Sequence, residues 1–427
     1  MKRSYNLQMR IYLGLRPIFQ VLAPGVLKRR LKAGKEDPER FREKMGEATR
    51  ARPSGDLIWM HAVGLGELLA LRPLITALQK HAPGLNVLLT SSARSSAKVI
   101  GNNLPANTYH QMLPLDAPKF FAQFLDHWRP DMSIWSEQDI WPGAVHDTAN
   151  RGIPLAYVNS RISAASHEKR GRVGGLYRDT YRLFDLITAQ DERTLAHFHA
   201  LGISSARLVP SLKPAAEPLH ADVEELARLE RALAGRRVWV ASSTHVEDEA
   251  AVIAAQAALF AKDPSRLLIL TPRLPDRRSD IAQALDAAGL SFAQRSVGDP
   301  VQGDTAVLLA DSFGELGLWY RLAKTAFIGG SLSGVGGHNP WEAICLGLPV
   351  MSGPDTQNFE TDYAVLREAG LAYRVPKDGS SAQTIAHVVE DELGSDMREK
   401  AAALVANARE ETDRLARDLL NLSKADQ

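Results

Sequence analysis

Short apolar runs that alternate with helix-like segments are the feature that most constrains the fold of this chain of 427 residues. Six such runs lie between positions 57 and 209, and six more lie between positions 237 and 373. Their residues are continuously apolar, which is typical of parallel strands covered by helices on both faces. The sequence therefore predicts an α/β protein with two doubly wound domains.

The boundary between the two series is predicted near residue 212. Residues 211–220 contain Pro214 and Pro218 and lack a clear period, as expected of a linker. We therefore assign residues 36–212 to the first domain and residues 213–427, which end in a long amphipathic helix, to the second. Open α/β sheets bind ligands beyond the carboxyl ends of their strands, so we expect the two domains to face an interdomain cleft.

Residues 1–35 form a basic segment with apolar stretches. They hold nine Lys or Arg and no acid, so the rest of the chain carries 42 basic against 50 acidic residues. Arg16, Pro17 and Pro24 interrupt the apolar stretches, and the longest uncharged run is 11 residues, whereas a spanning helix needs about 20. We interpret the segment as a monotopic anchor on an anionic membrane surface; a basic helix packed on the domain is the alternative. No nucleic-acid partner is predicted.

A glycine-rich turn separates an apolar run at 325–329 from a helix-like segment. It contains Gly337, His338 and Asn339, with Pro340 expected at the first helical position and Asn339 as its N-cap. Glycines let a backbone approach a ligand closely, and the N–H groups at a helix start attract phosphate. Glu342, in the first turn, would accept hydrogen bonds from a ribose or cap its own helix.

Acidic residues follow two strand-like runs of the first domain. Glu67 comes shortly after the first run, where it would serve as a general base or as a helix cap. Glu137 and Asp139 stand between Trp135 and Trp141, so they suit a turn that contacts sugar; helix-start acids beside a core tryptophan are the alternative.

Cationic side chains supply the remaining candidates. Arg273 follows a strand of the second domain and suits a bidentate contact with phosphate or carboxylate, while Lys213 lies in the linker. The turn with Gly314 and Glu315 is a weaker candidate for a nucleotide contact. The spacing of the histidines and the single cysteine does not suit a metal site, and no cofactor is predicted.

Eight short motifs follow one another in a fixed order along the chain: 61–67, 137–142, 158–163, 212–213, 243–247, 271–273, 314–318 and 329–342. Their order closely resembles that of the transferases of 3-deoxy-D-manno-octulosonic acid (Kdo), which are membrane-bound GT-B glycosyltransferases with two Rossmann-like domains. Members of this family move Kdo from CMP-Kdo onto lipid A precursors in lipopolysaccharide assembly. The resemblance covers essentially the whole chain, including its basic apolar beginning.

The resemblance implies an inverting, metal-independent transfer at the cytoplasmic face of the bacterial inner membrane. It assigns the catalytic base to Glu67. The residues that it assigns to the nucleotide sugar are Lys213, Arg273, Gly314, Glu315, Gly337, His338, Asn339 and Glu342. The acceptor-side residues are Gly66, Glu137 and Asp139.

The chain departs from the family pattern at a few positions on the acceptor and hinge side. Gly64 stands where a serine is common, Asp139 replaces a glutamate, Gly143 replaces an asparagine, and Pro214 replaces an aromatic residue. A paralogue that uses a related CMP-sugar or another lipid acceptor is therefore an alternative. A GT-B-like sugar-nucleotide epimerase and a non-catalytic protein that binds lipid or a partner are two further alternatives.

Overall fold

The computed structural model describes residues 4–92, 104–137, 140–162, 164–391 and 396–425. The chain divides into two compact units. Unit 1 is Met1–Ala216 together with Ala408–Gln427, and unit 2 is Glu217–Asn407. The predicted boundary lies close to this division, but the terminal helix, which we had assigned wholly to the second domain, contributes residues to both units.

The sheet of unit 1 is parallel throughout. Its strands within the described residues are β1 (Leu57–His61), β2 (Asn86–Ser91), β3 (Thr108–Met112), β4 (Met132–Ser136), β5 (Leu155–Ser160), β6 (Leu186–Ala189) and β7 (Arg207–Leu208). Their spatial order is β3-β2-β1-β4-β5-β6-β7. The described helices are α1 (Leu7–Lys32), α2 (Leu65–Ala70), α3 (Arg72–His81), α4 (Pro118–Trp128), α5 (Pro142–Ala149), α6 (Ala164–Gly171), α7 (Gly174–Tyr181) and α8 (Glu192–Ala200).

Unit 2 repeats this plan. In the part of the chain that the structure describes, its strands are β8 (Arg237–Thr244), β9 (Arg266–Pro272), β10 (Phe292–Gln294), β11 (Val307–Leu309), β12 (Ala326–Ile328), β13 (Val350–Ser352) and β14 (Ala372–Arg374). Their order is β10-β11-β9-β8-β12-β13-β14. The helices are α9 (Val223–Ala232), α10 (Val246–Lys262), α11 (Arg278–Ala287), α12 (Leu316–Leu322), α13 (Trp341–Ile344), α14 (Glu360–Glu368), α15 (Ser381–Glu390) and α16 (Asp396–Ala425), which continues into unit 1.

The continuous apolar runs arise because both faces of each sheet are covered. In β1, Leu57 and Trp59 belong to one apolar cluster, whereas Ile58 and Met60 belong to the cluster on the other face. Successive side chains of a strand point to opposite faces, so a strand buried on both sides has no polar alternation. The prediction of two doubly wound parallel-sheet domains is confirmed.

Helix α1 is continuous from Leu7 to Lys32, although Pro17 and Pro24 interrupt its apolar sequence. Packing against unit 1 offsets the cost of prolines within a helix. Arg16, the charge that interrupts the apolar sequence, is buried and forms ion pairs with Asp116 at 3.0 Å and Asp147 at 2.6 Å. Helix α1 is thus a packed element of unit 1, as the alternative interpretation held.

The opposite side of α1 is exposed. Its exposed large apolar residues are Leu7, Ile11, Leu15, Ile18, Phe19, Val21, Leu22 and Val26. Over the described residues, no helix combines the length and the apolar character required to cross a membrane. Association of the exposed side of α1 with a membrane remains a prediction.

Candidate functional site

The strand order of unit 1 places β1 beside β4, although β2 and β3 come between them in sequence. Such a reversal is the switch point at which open α/β sheets bind ligands, outside the carboxyl ends of the strands. Glu67 lies in α2 after β1, and Glu137 directly follows β4. Two of the three acids predicted for this unit therefore belong to the strand ends that flank its switch point.

Glu67 caps the start of its own helix. Its Oε2 accepts hydrogen bonds from the N–H of Val63 at 2.8 Å and from the N–H of Gly64 at 3.4 Å. Gly66 is the second residue of the same short helix. Glu67 therefore makes the capping contacts that the alternative interpretation expects. These hydrogen bonds also hold its carboxylate at the end of β1. Its assignment as a base stays a prediction.

Glu137 is buried and has a left-handed backbone, with φ at +64°. Its Oε1 accepts a hydrogen bond from Asn159 Nδ2 at 2.8 Å, and its carbonyl oxygen accepts one from the Tyr157 hydroxyl. Asn159, at the end of β5, also has a positive φ of +49°. Residues other than glycine are costly in this conformation and cluster at functional sites, where the surrounding structure must hold them in place.

The predicted sugar platform at Trp135 is wrong, because this indole belongs to the core. Trp135 is fully buried and packs edge-on against Trp59 at 5.5 Å and His61 at 4.9 Å between ring centroids. The part of the alternative that placed a tryptophan in the core therefore applies to Trp135. Asp139, the second predicted acid of this turn, lies outside the described residues.

The switch point of unit 2 lies between β8 and β12. Most of the predicted donor-side residues lie after neighbouring strands of this sheet, at their carboxyl ends. Gly314 and Glu315 follow β11, Arg273 follows β9, and the glycine-rich loop that contains Gly337, His338 and Asn339 follows β12. His245, which was not among the predicted residues, follows β8, the strand between β9 and β12.

Asp248, on α10, holds the glycine-rich loop in place. Its buried carboxylate accepts the N–H of Gly330 at 2.7 Å, that of Leu332 at 2.9 Å and that of His245 at 3.0 Å. Burial raises the pKa of Asp248, while these bonds oppose the rise. The loop backbone directly after β12 is therefore engaged by a protein carboxylate, whereas the N–H groups that we expect to attract phosphate lie later, at the start of α13.

The glycines of this loop are required by close approach as well as by backbone angle. A Cβ at Gly329 would lie 2.4 Å from the carbonyl oxygen of Ser243, and one at Gly330 would lie 2.9 Å from the His338 ring. Gly330 and Gly337 also have positive φ values of 69° and 77°. Any side chain at these positions would displace the loop from β8.

His338 meets His245 edge to edge. Their ring centroids are 5.3 Å apart, the ring planes are nearly parallel, and the two Nε2 atoms are 3.1 Å apart, so one ring donates a hydrogen bond to the other. Burial, with smaller contributions from His245 and Arg273, lowers the pKa of His338 to about 4. His338 is therefore uncharged at neutral pH.

Glu342 lies in the first turn of α13, where its Oε1 accepts a weak hydrogen bond from Asn339 Nδ2 at 3.4 Å. Burial raises the pKa of this carboxyl, while Asn339 and the positive charge of Arg273 lower it. Arg273 thus acts electrostatically on both Glu342 and His338. The structure brings these predicted residues together at the switch point.

The predicted cap geometry is shifted by one residue. Pro340 occupies the N-cap and Trp341 the first helical position, although Asn339 Oδ1 still accepts the N–H of Trp341 at 3.1 Å. The helix that follows Pro340 is only four residues long, Trp341–Ile344.

Three predicted residues, Gly314, Glu315 and Lys213, stand apart from this group. Glu315 receives hydrogen bonds from Arg295, the shortest at 2.6 Å, and from the Ser312 hydroxyl, in a turn where Gly314 has a φ of +87°. Lys213 begins a short 3-10 turn, Lys213–Ala215, in unit 1. Their assignment to the nucleotide sugar stays a prediction.

Sequence reasoning missed the roles of Asp248 and Asn159. Asp248 accepts the N–H of His245, three residues before it, but its contact with Gly330 depends on a loop 82 residues away in sequence. Asn159 precedes Ser160 at the end of a predicted strand, and an asparagine there is a signal for left-handed backbone. Within the described ranges, no group of three His, Cys, Asp or Glu residues could hold a metal ion.

Comparisons with known proteins identify the family. A family model described as 3-deoxy-D-manno-octulosonic-acid transferase (kdotransferase) matches residues 39–216. The 3-deoxy-D-manno-octulosonic acid transferase of Rickettsia bellii is 35% identical over 336 residues, covering 78% of this chain and 79% of that protein. The transferase of the same name from Haemophilus influenzae is 31% identical over 376 residues, covering 87% and 83%.

The fold has solved relatives at lower identity. The UDP-GlcNAc 2-epimerase from Neisseria meningitidis bound to UDP-GlcNAc is 15% identical, with a TM-score of 0.56 over 86% of this chain and 99% of that one. This likeness shows the fold alone, and the predicted GT-B class of two Rossmann-like domains is confirmed. By its sequence relatives, the chain belongs to the 3-deoxy-D-manno-octulosonic acid transferase family.

Proposed function

We propose that this protein transfers Kdo from CMP-Kdo to a lipid A precursor, with inversion at the sugar and without a metal ion. The observation that supports this most is the group at the switch point of unit 2. There, Arg273 places a positive charge beside His338 and the half-buried Glu342, next to a glycine-rich loop. This combination suits an anionic nucleotide sugar in a family of transferases.

On the donor side, Arg273 would neutralise the CMP phosphate or the Kdo carboxylate. The leaving CMP gains negative charge in the transition state, and a fixed guanidinium stabilises that charge. Neutral His338 would contribute a hydrogen bond without a competing charge. Asn339 and Glu342 would contact the ribose, whose hydroxyl groups can donate hydrogen bonds to the Glu342 carboxylate and accept them from the Asn339 amide. Gly337 keeps the backbone open to the ligand.

On the acceptor side, Glu67 would remove the proton of the attacking hydroxyl group. Its Oε2 accepts the N–H groups of Val63 and Gly64, which hold the carboxylate at the end of β1. Glu137, fixed by Asn159, would orient the acceptor with Gly66 and Asp139. Lys213, Gly314 and Glu315 would complete the contacts to the nucleotide sugar.

The exposed side of α1 would hold the protein on the cytoplasmic face of the inner membrane. Phe19 and Leu22 are 56% and 59% exposed on a helix whose last turn carries Arg29, Arg30 and Lys32. Apolar side chains beside a basic cluster bind anionic bilayers. Removing residues 1–35 would expose the core under Met9 and Arg16, so replacement of the exposed side chains Phe19→Ser and Leu22→Ser is the sharper test, measured by vesicle flotation.

The donor assignment is tested by calorimetric titration of CMP into the purified protein. Replacing Arg273 by glutamine should weaken CMP binding roughly 10- to 100-fold, because a hydrogen bond to a charged group contributes about 1.5–3 kcal/mol. Arg278→Gln is the matched control, since Arg278 is an exposed arginine at the start of α11 in the same unit. Equal affinities for CMP in the Arg273 variant and the wild type would contradict the assignment.

A further inference from the structure

Unit 1 contains a cavity that is separate from the candidate site. Its volume is about 520 Å³, and it opens to solvent between the start of α1, the region from the end of α6 through α7, and the end of α8. The lining residues are Gln8, Gly171, Gly174, Gly175, Arg178, Arg182, Ala200, Leu201 and Gly202. None of them is a candidate residue for transfer.

Two guanidinium groups give this cavity its charge. Arg178 lies on α7 and Arg182 follows its end, four positions later, so the two side chains project from the same side of the helix. Both are exposed, and within the described parts of the chain neither has a carboxylate partner. Like charges at this spacing repel each other, and a bound anion would remove that repulsion.

The nearby acidic side chains accept hydrogen bonds from backbone N–H groups elsewhere in unit 1. Asp179, next to Arg178 in sequence, is buried and accepts the N–H of Asn6 at 2.7 Å. Asp185 accepts the N–H of Leu155 at 2.9 Å. The residues that line the cavity include no acid. The cavity is therefore cationic, without an internal counter-ion from the protein.

Gln8 and the glycines complete a lining suited to a small polar anion. Gln8 Oε1 accepts the N–H of Leu176 at 3.2 Å, which leaves the amide hydrogens of Gln8 as donors in the wall. A Cβ at Gly171 or Gly202 would meet no atom within 4 Å, so both walls are open. Planar guanidinium groups match the geometry of phosphate oxygens.

We propose that this cavity binds a phosphate group, carried by an anionic lipid or by a small soluble molecule. Its place at the first turn of α1, where Leu7 and Ile11 are 68% and 52% exposed, favours a lipid headgroup. The inference does not depend on the transfer reaction. The residues that carry it are Arg178 and Arg182, with Gln8 as an additional donor.

The test is calorimetric titration of the full chain with dihexanoylphosphatidic acid below its micelle concentration, and separately with inorganic phosphate. We expect saturable one-to-one binding that Arg178→Gln with Arg182→Gln weakens on the order of 30-fold, about five-fold for each basic residue. Arg129→Gln with Arg193→Gln removes the same charge from exposed positions of unit 1 and should leave binding unchanged.

A second variant tests the cavity without altering its charge. Gly174→Gln adds a side chain to the wall, where its Cβ would meet only Leu201 Cδ2 at 4.0 Å, and it should also weaken binding. Tighter binding of the lipid than of inorganic phosphate would identify a lipid headgroup, and equal binding would identify a soluble phosphate. Absence of saturable binding by both probes, or equal losses in the Arg178 and Arg129 double variants, would overturn the proposal.

Discussion

Asp248→Asn should weaken both the fold of unit 2 and its affinity for CMP. The carboxylate is fully buried and accepts three backbone N–H groups, those of His245, Gly330 and Leu332. Asparagine has a similar shape but only one acceptor oxygen, so at least one buried N–H would face an amide donor.

The expected magnitude follows from these contacts. A buried donor left without a partner costs about 1–3 kcal/mol, so we expect a loss of about 1–3 kcal/mol in the free energy of unfolding of unit 2. For a unit of this size, 1 kcal/mol corresponds to roughly 2–4 °C in Tm, which gives a decrease of roughly 2–12 °C. Displacement of the loop should weaken CMP binding at least about 10-fold at temperatures where the variant is folded.

Glu249→Gln is the matched control for this prediction. Glu249 is also buried on α10, but it pairs with Arg277 at 2.8 Å instead of the glycine-rich loop. Its replacement should lower Tm and leave CMP affinity unchanged. If folded Asp248→Asn binds CMP as tightly as the wild type, the glycine-rich loop is not part of the nucleotide site, and the reasoning is refuted.

Three further predictions concern pH and the anchoring of α1. The pKa of His338 is lowered to about 4, so as the pH is lowered from 6.5 to 4 the unfolded chain takes up a proton that the folded chain does not. The free energy of unfolding should therefore decrease by up to about 3 kcal/mol over that range. Urea titrations of His338→Gln should show a smaller decrease over the same range. Arg16→Met leaves Asp116 and Asp147 without their buried partner and should cost about 3–5 kcal/mol in chemical denaturation. Gly143→Asn should lower Tm, because its Cβ would lie 2.1 Å from Arg16 Nε, and an unchanged Tm would contradict the observed packing.

The central strands were predictable because burial on both faces leaves a strong sequence signal. The runs at β1, β8 and β9 are almost wholly apolar, as a strand covered on both sides requires. Strands β3 and β10 were missed because each lies at the edge of its sheet, where half-buried polar residues such as Thr108 and Gln294 are tolerated.

The ends of the chain were harder to predict for a different reason. An amphipathic pattern shows that a helix has an apolar side but does not show what covers it. In α16, Ala401 and Val405 pack into the core of unit 2, whereas Leu415 and Leu419 pack into that of unit 1. In α1, the charge of Arg16 is typical of an exposed position. Arg16 is nevertheless buried, because it forms ion pairs with Asp116 and Asp147, which are distant in sequence.

The positions of the candidate residues along the backbone were predictable from the sequence, whereas their side-chain contacts were less so. Turns after strands predicted where Glu67, Arg273 and Glu342 would lie, since parallel strands end at one edge of a sheet. The bond from Asp248 to Gly330 depends on tertiary packing that no local pattern encodes. Trp135 was misassigned because an indole beside acids has the same local sequence whether it faces a ligand or the core.

The rate of Kdo transfer from CMP-Kdo to a tetraacylated lipid A precursor, followed by mass spectrometry, tests the central claim most directly. Glu67→Gln should lower the rate about 100- to 10,000-fold with CMP affinity unchanged, because a general base contributes that much. Glu192→Gln, an exposed glutamate in the first turn of α8, is the control and should retain the rate. A wild-type protein that forms no Kdo-bearing lipid, or a Glu67→Gln variant as active as the wild type, would contradict the proposed function or the assigned base, respectively.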